Sequence, residues 1–191
     1  MLDAMIDAHM RCFEQLKTMT TELDEVGETL ARCLLAGGKL LICGNGGSAG
    51  DAQHFAAEII GRFEQERRAF PAVALTTDSS ILTAVGNDYG FDDVFARQVA
   101  GLGRPADLLI GISTSGQSQN VVRAVRLARS LKMKSVGLLG KDGGLLKGLV
   151  DRAIVVDSDT TARIQEAHIF ILHYWAWRVE HAIVHAEGAS A

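Results

Sequence analysis

Five short apolar runs separated by helix-length segments predict an α/β protein built on a parallel sheet covered on both faces. Three observations carry that expectation. The runs at 39–43, 72–75, 107–112, 135–139 and 153–156 are continuously apolar rather than alternating, which is how strands buried on both faces read. Helical stretches stand between them, long enough to carry the chain back for another parallel strand. Two of the runs end in loops dense in glycine or hydroxyls that open a helix, and ligands of open parallel sheets sit beyond the carboxyl ends of strands.

Residues 3–22 and 24–36 read as two helices ahead of the sheet, and Gly37-Gly38 ends the second. The strands and helices then alternate to about residue 156. The last segment, 161–186, reads as a long helix apolar over much of its circumference. Leu172, Trp175, Trp177, Val179 and Ile183 exceed what one narrow stripe needs, so the helix is either central to the core or covered by another subunit. No linker, repeat or low-complexity stretch divides the 191 residues, and one domain spanning 1–191 is expected.

Composition excludes several classes. Hydrophobic content of 48% with two prolines argues against disorder. A net charge of −4 leaves no broad basic field for nucleic acid, and Arg123, Arg126 and Arg129, three apart, read as the solvated face of a helix. Cys12, Cys33 and Cys43 form no CxxC pair, and their odd number suits a reduced compartment. Asp3, Asp7 and Glu14 interrupt the first turns, so no secretory signal is expected. The apolar stretch 169–177 is too short to span a bilayer. The expected location is the cytoplasm, with no membrane or nucleic-acid partner.

The most informative segment is Gly44-Asn45-Gly46-Gly47-Ser48 with the helix it opens. Unpaired N–H groups and the positive dipole end at a helix start suit an anion. His54 and Glu58 follow at i, i+4, on one face of that helix. The second loop, Ser113-Thr114-Ser115-Gly116-Gln117-Ser118, precedes another helix. One N-cap needs one hydroxyl, and this loop supplies four, so it reads as a neutral phosphate cradle. Gly44-x-Gly46-x-x-Ala49 also matches a dinucleotide fingerprint, but no acidic residue ends the next strand, and no Walker-type motif occurs.

Taken alone, His54 and Glu58 read as a satisfied histidine and a surface glutamate. Gln165 and His173 on the final helix change the balance, because an ionisable ring inside the most apolar stretch needs a partner. Two histidines, a carboxylate and an amide oxygen suit zinc. Gln165 and His173 are eight residues apart, about 12 Å along a helix. One metal joins both only if the side chains reach toward each other; otherwise they serve different subunits. His9, His168, His181 and His185 read as packing or surface residues.

With these motifs, and with Leu75-Thr76-Thr77-Asp78, Gly86-Asn87-Asp88-Tyr89-Gly90 and Arg163-Ile164-Gln165-Glu166, the chain resembles the sugar isomerase (SIS) family, most closely its phosphoheptose isomerase branch, over nearly its whole length. The resemblance implies a three-layer αβα sandwich with a five-stranded parallel sheet, extra N-terminal helices and a long C-terminal helix. It implies a homotetramer with active sites at subunit interfaces. Ser48, Ser113, Thr114, Ser115 and Ser118 would surround a sugar phosphate. Asn45, Gly46, Gly47, Asn87, Asp88 and Gln165 would line the rest of the substrate site, with Glu58 and Arg62 contributing. Glu58 and His173 fall on the family's acid/base pair, and His54, Glu58, Gln165 and His173 on its ligands for one zinc ion per subunit. The implied reaction turns sedoheptulose 7-phosphate into D-glycero-D-manno-heptose 7-phosphate through an enediol, on the route to bacterial surface heptose. The alternatives are an isomerase of another ketose phosphate, a sugar-phosphate sensor without turnover, and a non-catalytic relative that binds the replication initiator DnaA. Relatives of the last kind lack the acid/base pair that Glu58 and His173 supply here, and the same pair argues against a sensor without turnover. Gly50 departs from the usual pattern, where alanine or a larger residue is common.

Overall fold

The computed structural model describes residues 1–188. Two helices, α1 (Leu2–Lys17) and α2 (Thr20–Leu35), precede β1 (Leu40–Gly44) and α3 (Gly47–Ile60). Then come β2 (Ala72–Ala74), α4 (Ser79–Asp88), a 3-10 turn at Phe91–Asp93 and α5 (Val94–Leu102). The chain continues through β3 (Leu108–Ser113), α6 (Gln119–Ser130), β4 (Lys134–Gly140), the single turn α7 (Gly144–Lys147), β5 (Arg152–Val156) and α8 (Thr161–Gly188). The five strands form one sheet in the order β2-β1-β3-β4-β5, and every pairing is parallel.

Alternation along the strands splits the core into two layers. Leu40 and Ile42 of β1, with Leu108, Ile110 and Ile112 of β3, face α2, α3 and α8. Leu41, Cys43 and Leu109 face α5 and α6. β1 and β3 are buried along their full length, which is why their sequences carry no polar alternation. Burial pushes the Cys43 thiol up to about 12, so it packs as a small apolar group.

The first two helices part at Thr18–Met19, earlier than the apolar pattern suggests. The Thr18 hydroxyl donates to the Gln15 carbonyl at 2.8 Å and the Thr20 hydroxyl to the Lys17 carbonyl at 3.0 Å. These back-bonds compete with continuation of the helix, whereas Leu23, at the expected break, is buried inside α2. The 72–75 run yields only three paired residues, on the sheet edge.

α8 is central to the core of a single chain. Ile164, Ala167, Ile171, Leu172, Trp175, Val179 and Ile183 are all essentially inaccessible, and Trp175 Nε1 donates to the Leu23 carbonyl of α2 at 3.1 Å. Truncating such a tryptophan costs about 3–5 kcal/mol. Phe170, on the far side, stays 45% exposed.

The chain runs from β1 toward β2 through α3 on one face of the sheet. It runs from β3 toward β4 through α6 on the other. The carboxyl ends of β1 and β3 therefore flank the switch point of the sheet, where a crevice opens.

Candidate active site

Gly46 begins the β1 loop's turn into α3 with φ +57° and ψ −122°, a conformation that excludes a side chain. Gly47 lets α8 come close: a Cβ there would lie 2.3 Å from the Gln165 amide nitrogen, so that side chain would have to move aside. Ser48 is buried in the first turn. Its N–H donates to the Asn45 carbonyl at 3.0 Å, and that of Ala49 to the Gly46 carbonyl at 3.0 Å. The tight turn thus engages the Ser48 and Ala49 amides, two of those that a helix start offers to an anion.

The start of α6 is more open. No side chain caps it among the described residues. The hydroxyls gather instead: Ser113 Oγ lies 2.9 Å from Ser118 Oγ and 3.5 Å from Ser115 Oγ, and Ser115 accepts from the Gln117 N–H at 3.2 Å. Gly116, at φ +64°, leaves no space for a Cβ against the Gly143 carbonyl. Three hydroxyls that bond one another at the mouth of a helix can turn their protons toward a phosphate.

Asn120 ties this loop to the first. Asn45 Nδ2 donates to Asn120 Oδ1 at 2.9 Å, and Asn120 Nδ2 donates to Asn45 Oδ1 at 2.8 Å. Its oxygen also accepts from the Val121 N–H. Asn120 carried no assignment in the sequence reading; a buried amide in the first turn after a hydroxyl loop is the only signal it offers. Beside Gly44, Asn45 and Gly46 lies a cavity of about 120 Å³, which Ala49, Thr76, Leu82, Phe91 and Phe95 complete.

α8 runs parallel to α3. Gln165 meets Gly47, and His173 meets His54 two turns later. The two imidazole Nε2 atoms are 2.7 Å apart, and Glu58 Oε1 lies 3.3 Å from His54 Nε2. The ligand-capable atoms of His54, Glu58 and His173 all fall within 4.8 Å of one another. Burial lowers the His173 pKa, His54 lowers it further and Glu58 partly offsets both, so the ring is neutral at neutral pH. Burial raises the Asp51 carboxyl to about 6 against the pull of His54, and its Oδ2 has no hydrogen bond.

A single chain thus joins the two loops with Gln165, and the acid/base candidates with His54. Gln165 stands at the loop end rather than in the His-Glu-His cluster. Asn87 and Asp88 are exposed at the end of α4, with Asn87 Nδ2 donating to Asp88 Oδ1 at 2.8 Å. Arg62 is turned toward its own loop, 3.7 Å from Glu66. Of the other histidines, His9 bonds Glu166, His168 bonds the Leu139 carbonyl, His181 lies on Trp177 and His185 is exposed.

A parallel sheet with a hydroxyl-lined crevice at its switch point and a His-Glu-His cluster on the bordering helices defines a class. The chain belongs to the SIS domain family, whose profile matches residues 6–140. Within that family, its relatives at 50–55% identity carry the name phosphoheptose isomerase. It is 55% identical to phosphoheptose isomerase 1 of Campylobacter jejuni over 86% of this chain and 89% of that one. The structure of phosphoheptose isomerase from Neisseria gonorrhoeae superposes with a TM-score of 0.89 at 44% identity, over 94% of this chain and 97% of that one. The Francisella tularensis enzyme superposes with a TM-score of 0.91 at 38% identity, over 94% and 96%.

Proposed function

We propose that this chain is a phosphosugar aldose–ketose isomerase acting on sedoheptulose 7-phosphate and yielding D-glycero-D-manno-heptose 7-phosphate. The observation that carries the reading is the pairing of Glu58 with His54 and His173, beside two loops suited to a phosphate. Phosphoheptose isomerases as relatives over most of both chains support the substrate class.

The reaction moves a proton between C1 and C2. Ser113, Thr114, Ser115 and Ser118, with the start of α6, hold the phosphate, and Ser48 backs the first loop. Asn45, Gly46, Gly47 and Gln165 face the sugar chain, while Asn87, Asp88 and Arg62 join on closure or from a neighbouring subunit. The Glu58 carboxylate takes the C–H proton, and neutral His173 exchanges protons with the oxygens of the enediol.

The donor set fits a metal: two imidazole nitrogens and one carboxylate oxygen already converge. His54, Glu58 and His173 would hold zinc, with Gln165 the remaining candidate, and a zinc ion there would stabilise charge on the substrate oxygens.

We infer a homotetramer with active sites at subunit interfaces. Leu2, Met5, Ile6 and Met10 on α1 and Phe170 on α8 are large apolar side chains left exposed, and such patches mark contact surfaces. We also propose one SIS domain over the whole chain, since α8 packs into the layer that α2 and α3 build. No helix is long and apolar enough to cross a membrane, and three free cysteines among the described residues suit the cytoplasm.

The test is an NMR time course with sedoheptulose 7-phosphate, with added zinc and again with a chelator. Formation of the aldoheptose phosphate establishes the reaction, and its loss with chelator establishes metal dependence. No conversion by folded protein overturns the reading in favour of another sugar phosphate or a binding role.

A further inference from the structure

A buried charge pair pins the segment that leaves α3. Glu180 of α8 is fully buried, two turns beyond His173. Its carboxylate accepts from the backbone N–H groups of Phe63 at 2.9 Å, Glu64 at 2.8 Å and Gln65 at 2.8 Å. Arg67 lies against it, Nε to Oε1 3.5 Å, with its side chain only 2% exposed. Burial raises the Glu180 carboxyl, but the three N–H groups and Arg67 more than offset this, so it stays ionised.

Arg67 spends its other nitrogens on the end of α3. Nη2 donates to the Glu58 carbonyl at 2.7 Å. Nη1 donates to the carbonyls of Ile59 at 2.9 Å, Gly61 at 3.1 Å and Arg68 at 3.0 Å. The last carbonyls of a helix lack intrahelical partners and carry its negative dipole end. A guanidinium satisfies both needs here, on the turn that presents Glu58. The same segment stacks the Phe63 ring on His173, with centroids 5.8 Å apart and planes 30° apart.

We propose that Glu180 and Arg67 are positioning residues for the isomerisation, fixing the end of α3 and the Phe63–His173 stack so that Glu58 and His173 stay in reacting register. The inference rests on the reading of Glu58 and His173 as the acid/base pair. Neither positioning residue touches substrate; both act through the backbone of 58–65 and through Phe63. Simple stability would be served equally well by an ion pair elsewhere. The distinguishing feature is that every hydrogen bond named above, save that to Arg68, lands on the end of α3 that carries Glu58 or on Phe63 and the two residues after it.

The test compares Glu180→Gln and Arg67→Lys with Asp107→Asn in the full chain. Asp107 is the matching control: it is buried, pairs with Lys39 at 2.5 Å and accepts from the Lys39 and Arg104 N–H groups. It precedes β3, at the amino ends of the strands and so opposite the site. Thermal unfolding, kcat and KM for sedoheptulose 7-phosphate, and zinc affinity by competition with a chromogenic chelator would be measured where each variant is folded. Glu180→Gln should lower kcat by about tenfold to a hundredfold, the size expected of a small misplacement. KM should move by less than about threefold, because the phosphate loops are untouched. Zinc affinity should fall by about tenfold, as for other groups that orient metal ligands. Asp107→Asn should destabilise comparably yet keep kcat and zinc affinity within about twofold. If Glu180→Gln does not fold, Arg67→Lys carries the same expectation, since it keeps the charge and loses the fork. Unchanged kcat and zinc affinity in the folded variant, or equal losses in Asp107→Asn, would overturn the proposal. If the wild-type chain fails to convert the sugar, the functional reading falls, and the zinc comparison decides the positioning role by itself.

Discussion

The two ends of the site are built by different means. The proposed phosphate end consists of two loops, 44–48 and 113–118, whose geometry comes from local turns, bare glycines and hydroxyls within five residues of one another. The proposed acid/base end is assembled from α3 and α8, across 119 residues of sequence between His54 and His173. A loop can be shaped by its own residues. Two side chains on separate helices can be held in reacting register only by what packs the helices together. Binding should therefore respond to local substitutions, and turnover to those that disturb the α3–α8 contact.

The sharpest division between the ends comes from Glu58→Gln. This variant should fold and bind the phosphosugar but lose turnover by about a thousandfold or more, within the range of acid–base catalysis; near-normal kcat in a steady-state assay would remove Glu58 as the base. Next in size is His54→Ala. It should lower zinc content in metal analysis by one order of magnitude or more, with phosphate binding retained, and full occupancy would contradict the cluster as a metal site.

Two histidines five residues apart on α8 sharpen the comparison further. His168 faces the sheet, and burial lowers its pKa to about 4 despite its hydrogen bond to Leu139. An unfolded histidine titrates near 6.5. The folded value is lower, so the stabilisation is complete above about pH 6.5 and is lost as pH falls toward 4, by roughly 3 kcal/mol. His168→Leu should flatten that limb in denaturant titrations between pH 7 and 4 while leaving kcat nearly unchanged.

At the phosphate end, Asn120→Ala removes both amide bonds to Asn45. It should raise KM by about tenfold, with a smaller change in kcat, matching the 1–3 kcal/mol lost when buried polar groups are left unpaired. The smallest effect is expected for Gly50→Ala. A Cβ there meets nothing within 4 Å, so the variant should gain up to about 1 kcal/mol from helix propensity, read as a higher denaturant midpoint with kcat unchanged.

Much of this was legible in the residues. Continuous apolar runs are enough to place strands buried on both faces, and i, i+4 spacing is enough to put His54 and Glu58 together. The helix start at Gly47 has a local geometry that residue types do not reveal. The Ser48 and Ala49 amides look free in sequence, but the Asn45 and Gly46 carbonyls accept from them in a tight turn. The break between α1 and α2 was also misplaced, because hydroxyl back-bonding by Thr18 and Thr20 leaves no trace in apolar periodicity.

The sequence by itself determined the layers, the two loops and the chemical types at the site, since each depends on local backbone preference, period and composition. Only the tertiary structure decided that Gln165 stands by Gly47 while His173 joins His54, that Asn45 and Asn120 exchange both amide bonds, and that Glu180 and Arg67 clamp the turn below Glu58. Each of those contacts depends on the parallel packing of α8 along α3 or of one loop against the other. Such packing follows from burying the whole apolar surface at once, which no short window of residues encodes.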